Sequence, residues 1–239
     1  MKQVSPTDSR TIRIGLFGGT FNPIHYGHLR SAVEVTAALG LARVIFVPAA
    51  QPPHKKQTDI ISFHHRLAMA KAAVAPVSYL DTWDVEGKRP GPSFTVDTIR
   101  EFHRLNQGRA VPYLIIGLDS FLEINTWKDY QIIFSLTNLV VTTRPGYRQA
   151  ADPLGYLSQI TPGTAWAEKD GRFVHPSGHT ICFQPITGLF ISATRLREMV
   201  GTGLPITFLT PPVVEEYIQK HQLYTATLTD CAARPPDGD

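Results

Sequence analysis

Two histidines three residues apart, His25 and His28, are the residues of this chain whose type and spacing most suggest chemistry. They follow directly on Gly18-Gly19-Thr20-Phe21-Asn22-Pro23, so a glycine turn runs into an imidazole pair. If a helix begins near Tyr26, both rings lie on one face near its positive end, where unsatisfied amides attract anions. The glycines leave room for a ligand to approach the backbone. Glycine turn, imidazoles and helix amides together point to a phosphate site. A second group, Ser192, Thr194, Arg195 and Arg197, opens another predicted helix far downstream. Ser192 suits an N-cap. The two arginines oppose the helix dipole there, at a cost of about 0.3–1 kcal/mol each that a bound anion would offset. That favours a second phosphate-binding helix terminus over a plain cap.

Other readings of these residues stay open at this level. The glycine turn lacks the Gly-Lys-Ser/Thr ending of a Walker A loop and the Gly-x-Gly-x-x-Gly fingerprint of dinucleotide binding. The histidines could hold zinc, but no Cys or Glu stands nearby to complete a ligand set, so no metal-ligating residue is assigned. They could also be ordinary buried or surface histidines. Lys55 and Lys56 read by default as a solvated pair, and Trp127 as a core or surface aromatic.

The 239 residues carry a formal charge of only +3, which argues against a dedicated nucleic-acid surface and leaves room for a local basic pocket. Cys182 and Cys231 are the only cysteines, too few for a disulfide framework. The first ten residues hold no apolar segment, and no run of about 18 apolar residues occurs, so neither a signal peptide nor a membrane span is expected. A cytoplasmic protein acting on small anions fits, with a homo-oligomer left open.

The elements that must position these residues alternate. Thr11 to Phe17 reads as a buried strand, Leu29 to Leu39 as a helix stopped by Gly40, and Ala42 to Pro48 as a strand. Two prolines make 51–56 a loop. Ser62 caps a helix through Ala75, Tyr79 to Glu86 reads as a strand, and Gly87 to Pro92 as a turn-rich loop. In Thr95 to Gln107 the residues Val96, Ile99, Phe102 and Leu105 form one stripe. Pro112 to Leu118 is a strand that delivers Asp119, and Asn138 to Thr143 is another that delivers Arg144. Residues 146–178 read mostly as loop with a short helix near Ala151 to Gln159. Thr180 to Ile186 is a last strand, and Pro211-Pro212 opens a final helix, Val213 to Gln222. The pattern is α/β: one domain over residues 1–239, built on a doubly wound (Rossmann-like) parallel sheet with helices on both faces. Its core spans about 11–224, and 225–239 reads as a flexible tail. Ligands of such sheets bind beyond the carboxyl ends of the strands. The loops there hold Gly18 to His28, Pro52 to Lys56, Asp119, Arg144 and Ser192 to Arg197.

Six stretches in order resemble a known family. Gly18 to His28 and Ile191 to Arg197 are similar to the two signatures of the H-x-G-H nucleotidyltransferase superfamily. Pro52-Pro53-His54-Lys55, Gly91 to Thr95 with Asp97-Thr98, Ile115 to Ser120 followed by Thr126-Trp127, and Arg144-Pro145-Gly146 resemble bacterial nicotinate-nucleotide adenylyltransferases. The resemblance covers about residues 11 to 224. It implies adenylyl transfer from ATP to nicotinate mononucleotide, giving deamido-NAD and pyrophosphate, without a covalent enzyme intermediate. His25, His28 and Arg197 would be catalytic. Gly18, Gly19, Thr20, Phe21, Arg144, Ser192 and Thr194 would bind ATP. Lys55, Thr95, Asp119 and Trp127 would bind the mononucleotide, Trp127 by stacking on its ring. Magnesium held mainly by the ATP phosphates is implied as cofactor.

The sequence departs from the family at three places: Asn22 stands where many members have Asp, Ala193 where many have Ser, and Lys128 where an aromatic commonly follows the tryptophan. Lys128 could add a cation beside the pyridine pocket or lie in solvent. Related adenylyltransferases that use nicotinamide mononucleotide or phosphopantetheine, and a nucleotide-binding module without catalysis, are the competing readings.

Overall fold

The computed structural model describes residues 12–53, 60–144, 153–168 and 171–225. Lys55, Lys56, Pro145-Gly146 and residues 226–239 of the predicted tail, Cys231 among them, therefore lie outside the described residues. One sheet of eight strands organises the fold: β1 (Ile12–Gly19), β2 (Arg43–Pro48), β3 (Leu80–Thr82), β4 (Ala110–Gly117), β5 (Asn138–Thr143), β6 (Ala165–Ala167), β7 (Arg172–Val174) and β8 (Thr180–Pro185). The spatial order is β3-β2-β1-β4-β5-β8-β7-β6. From β3 to β8 every pairing is parallel. The order runs outward in opposite directions from the adjacent strands β1 and β4, so a crevice opens beyond their carboxyl ends.

Among the described residues eight helices cover the sheet: α1 (Tyr26–Leu39), α2 (Phe63–Val74), α3 (Thr95–Asn106), α4 (Leu118–Leu122), α5 (Tyr130–Leu136), α6 (Pro153–Ile160), α7 (Ala193–Gly201) and α8 (Pro212–Lys220). The two-residue period of a strand sorts the core into two layers. Along β4, Tyr113 and Ile115 join a cluster with Ala32 and Val35 of α1, Met69 and Ala70 of α2, and Val214 and Ile218 of α8. Leu114 and Ile116 join the opposite cluster with Val96 and Ile99 of α3, Phe121 of α4, Ile133 and Phe134 of α5, and Leu157 of α6. Both faces of β4 are therefore buried, as its uninterrupted apolar run requires. Helix α1 stops where Gly40 turns left-handed at φ 59°, its N–H bonded to the Thr36 carbonyl. Helix α2 starts at Ser62, whose hydroxyl accepts from the His65 amide.

The structure departs from the sequence expectations at four places. The strand expected over Tyr79 to Glu86 is only Leu80–Thr82 and gives way to a 3-10 turn at Val85–Lys88. Helix α5 replaces what read as connection, because its buried residues Ile133 and Phe134 draw it against the second cluster. The stretch before β8 contains a hairpin, β6 and β7, which adds antiparallel strands to the edge. Helix α3 ends on Gln107, left-handed at φ 48°, one residue ahead of Gly108.

Ile115 is fully buried at the centre of this sheet. Replacing it by alanine should cost about 2–5 kcal/mol of unfolding free energy, measured by urea titration. A loss below 1 kcal/mol would mean that the site collapses around the deletion.

Candidate functional site

Strand β1 runs into a turn that the fold holds in an unusual shape. Phe21 is left-handed at φ 48°, and the Asn22–Pro23 peptide is cis. A Cβ on residue 19 would lie 2.8 Å from the Phe21 ring, whereas one on residue 18 would meet nothing within 4 Å. Gly19 therefore makes room for Phe21, and the Cα of Gly18 faces open space.

His25 takes the N-cap position of α1 in extended conformation, and the Tyr26 amide donates to the Leu209 carbonyl at 3.1 Å. His28 follows in the first turn, its ring stacked on that of His25 with centroids 3.7 Å apart. The His25 amide donates to His28 Nδ1 at 3.3 Å. An accepting Nδ1 puts the proton of the neutral His28 ring on Nε2, which makes Nε2 a donor. Gly27 is needed between them, since a Cβ there would lie 3.0 Å from His25 Cε1 and Nδ1. Burial, aided by the positive charge of Arg144, lowers the His25 pKa from the usual 6.5 to about 4. At neutral pH His25 is an uncharged imidazole.

A cleft of about 770 Å³ opens here, at the carboxyl ends of β1, β4 and β5. Gly18, Gly19, Thr20, Phe21, His25 and His28 line one side. Asp119 and Ser120 of α4, Thr142 and Arg144 at the end of β5, and Ser192, Thr194 and Arg197 of α7 line the rest. Two guanidinium groups and one carboxylate face it, at the N-termini of two helices, a balance suited to a polyphosphate. Ser192 holds the N-cap position of α7, but its side chain makes no capping bond. Arg197 donates to the Asn22 carbonyl at 2.9 Å and to Thr194 Oγ1 at 3.4 Å. Arg195 corrects the sequence argument: it pairs with Glu198 at 3.3 Å and does not line the cleft, so only one of the two arginines faces it.

Asn22, which stands where many members have Asp, has a holding role. Its Oδ1 accepts from the Tyr224 hydroxyl at 2.9 Å and from the Ile61 amide at 3.4 Å, which a carboxylate oxygen would do equally well. Burial pushes the Tyr224 hydroxyl well above its ordinary range and keeps it a donor.

Thr95 and Trp127 are not among the residues lining this cleft. Thr95 is the first residue of α3, and Trp127 closes the 3-10 turn Ile124–Thr126, half-buried against the second core cluster. The two segments are tied together, because Lys128 Nζ reaches Asp97 Oδ2 at 3.1 Å and lies 4.7 Å from the centre of the Phe94 ring. Lys128 is thus a paired cation. Lys55 lies outside the described residues. Among the described residues no three His, Cys, Asp or Glu side chains are grouped to hold a metal ion, so His25 and His28 have no zinc partner there. The sequence reading missed Ser120 and Thr142, which line the cleft. They sit one residue past Asp119 and two before Arg144 and could have been found as neighbours at strand ends.

These features match a class of nucleotide-transferring proteins. The cytidylyltransferase-like family model matches residues 16–199. Chains named "Probable nicotinate-nucleotide adenylyltransferase" align nearly end to end: that of Geotalea daltonii is 42% identical over 217 residues, 89% of this chain and 98% of the relative. That of Pelobacter propionicus is 41% identical over 215 residues, 90% of this chain and 99% of the relative. The chain belongs to the nicotinate-nucleotide adenylyltransferases of that larger family. Its fold is shared by the Plasmodium falciparum nicotinic acid mononucleotide adenylyltransferase complexed with NaAD, with a TM-score of 0.68 at 19% identity over 89% of this chain and 97% of that one.

The lowered His25 pKa has a measurable sign. Because the folded value lies below 6.5, folding favours the neutral ring, and the resulting stability is present above pH 6.5 and lost as pH falls to about 4. Wild type should lose about 3 kcal/mol more than His25→Asn between those limits, read by urea unfolding across pH. Parallel losses would mean that His25 takes up its proton without resistance from the fold.

Proposed function

We propose that the cleft transfers an adenylyl group from ATP to nicotinate mononucleotide, releasing deamido-NAD and pyrophosphate. A phosphate oxygen of the mononucleotide attacks the α-phosphorus, and the bond from that phosphorus to the bridging oxygen of the leaving pyrophosphate breaks. The observation that carries this reading is the convergence of two helix N-termini, α1 and α7, on one cleft bearing Arg144 and Arg197. Acceptor and donor are both anions, so the protein's task is to hold them together and stabilise charge in flight. Membership of the adenylyltransferase family supports the substrates, and relatives carry that name.

In this reading Gly18 to Phe21 admit the triphosphate to the backbone. His28 Nε2 and the neutral His25 donate hydrogen bonds to its phosphates. Ser192, Thr194 and Arg197 hold the β- and γ-phosphates, with Arg144 beside them. Asp119 takes ribose hydroxyls, Thr95 meets the pyridine carboxylate, Trp127 stacks on the ring and Lys55 meets the acceptor phosphate. Lys128, already paired with Asp97, does not set the preference for the acid.

Asp119 is the only carboxylate lining the cleft among the described residues, a donor set that fits magnesium carried by phosphate oxygens and water better than a protein cage. When bound, magnesium would neutralise charge on the β- and γ-phosphates.

Purified protein with ATP and magnesium, offered nicotinate mononucleotide, its amide or phosphopantetheine, should release pyrophosphate fastest with the first. Faster turnover of another acceptor would overturn the acceptor assignment, and none at all would favour a binding module. His28→Ala should lower kcat by about 10²–10³ with the fold intact by circular dichroism, as for loss of one transition-state donor. Near-normal kcat would remove His28 from the chemistry. Trp127→Ala should raise the mononucleotide KM about three- to tenfold and leave the ATP KM alone. An unchanged mononucleotide KM would count against stacking.

A further inference from the structure

Arg66 of α2 is 1% exposed, the largest of the fully buried side chains. No carboxylate lies within ion-pair distance of it among the described residues, although Glu86 attracts it at longer range. Its guanidinium instead donates to three backbone carbonyls: Nε to Ile61 at 3.0 Å, Nη1 to Thr20 at 2.8 Å and Nη2 to Ala50 at 3.1 Å. The Phe63 ring lies 5.7 Å from its central carbon. Burial lowers its pKa to about 10, so it remains a cation at neutral pH.

A buried cation answered mainly by carbonyl dipoles is a poor stabilising device, because desolvation offsets most of what it gains. What the arrangement does supply is geometry. Thr20 belongs to the glycine turn on the cleft wall. Ala50 leaves the neighbouring strand β2 and is joined to the segment ahead of Thr95: Ser93 Oγ accepts from the amides of Ala50 at 2.9 Å and Gln51 at 3.1 Å, and the Ser93 amide donates to the Gln51 carbonyl at 2.9 Å. One planar, rigid group with fixed donor directions thus spans the turn assigned to ATP and the loop that leads to the acceptor side.

We infer that Arg66 is a positioning residue for adenylyl transfer, setting the separation between the Thr20 turn and the Ala50–Ser93 junction so that the acceptor phosphate lines up with the α-phosphorus of ATP. This rests on the function proposed above. Arg66 touches neither substrate, so each substrate binds alone as before when the guanidinium is altered. Only their mutual alignment is lost. Lysine keeps the charge, but its single nitrogen cannot reach three carbonyls in the same fork.

The test uses Arg66→Lys in the full chain, compared with wild type well below the melting temperature of both. Expected are a 10- to 100-fold fall in kcat, KM for ATP and for nicotinate mononucleotide each within threefold of wild type, and a matching split at equilibrium. In calorimetry the affinity for deamido-NAD, which spans both halves, should fall at least tenfold while that for a non-hydrolysable ATP analogue holds. A variant that melts lower but keeps wild-type kcat would overturn the inference and leave Arg66 a structural staple. So would equal weakening of ATP analogue and dinucleotide. If Arg66→Lys does not fold, Arg66→Gln, which keeps two donors without charge, is read in the same way. Failure of both to fold would overturn the inference by making Arg66 a requirement of the fold itself. If wild type turns over a different acceptor, the acceptor assignment fails and the Arg66 test is run with that acceptor. If wild type turns over none, both readings fall.

Discussion

The structure depends on how the backbone between β1 and α1 is held. Four carbonyl oxygens in that stretch accept hydrogen bonds from four other parts of the chain. Gly19 accepts from the Ala49 amide, Thr20 from Arg66, Asn22 from Arg197 and Ile24 from the Thr210 hydroxyl. An anion site requires the negative ends of nearby peptide dipoles to be occupied elsewhere, and this turn meets that requirement at residues 19, 20, 22 and 24 through donors just after β2, on α2, on α7 and in the segment before α8. The left-handed Phe21 and the absence of a side chain at residue 19 are the local cost of that shape.

The electrostatic design separates charge from intimacy. The imidazole of His25, at the N-cap of α1, is held uncharged by burial, and the His28 ring stacked on it accepts the His25 amide at Nδ1. Permanent cations are Arg144 at the exposed end of β5 and Arg197 on α7, where water screens them before a ligand arrives. Arg66 is the exception, a cation sealed inside the fold and turned toward carbonyls.

The sequence revealed much of this scheme and hid the rest for identifiable reasons. Strands β1, β2, β4 and β5 were legible because their central residues are apolar and buried. Helix α1 was legible from its glycine stop, and α3 from its single apolar stripe. The hairpin β6–β7 was not, since strands of three residues exist only through pairing with each other and with β8. Of the candidate residues, those flanking strand ends met in one cleft. Thr95 and Trp127 fell together elsewhere, joined by Lys128 and Asp97, a pairing 31 residues apart that no local pattern announces. Arg195 misled because charge near a helix start says nothing about which way the side chain turns. Arg66 was invisible because its partners are carbonyls, which every residue possesses.

The distances in sequence across the turn carry a further consequence. Thr210 reaches Ile24 across 186 residues, and Tyr224 reaches Asn22 across 202. The wall that is synthesised first is thus clamped by almost the last described residues to be synthesised. A ribosome-bound chain can complete β1, β2 and β4 long before its histidine-bearing turn acquires these supports. Assembly of the cleft therefore waits on residues 210 to 224, and a chain ending before Thr210 lacks both of these clamps on the turn.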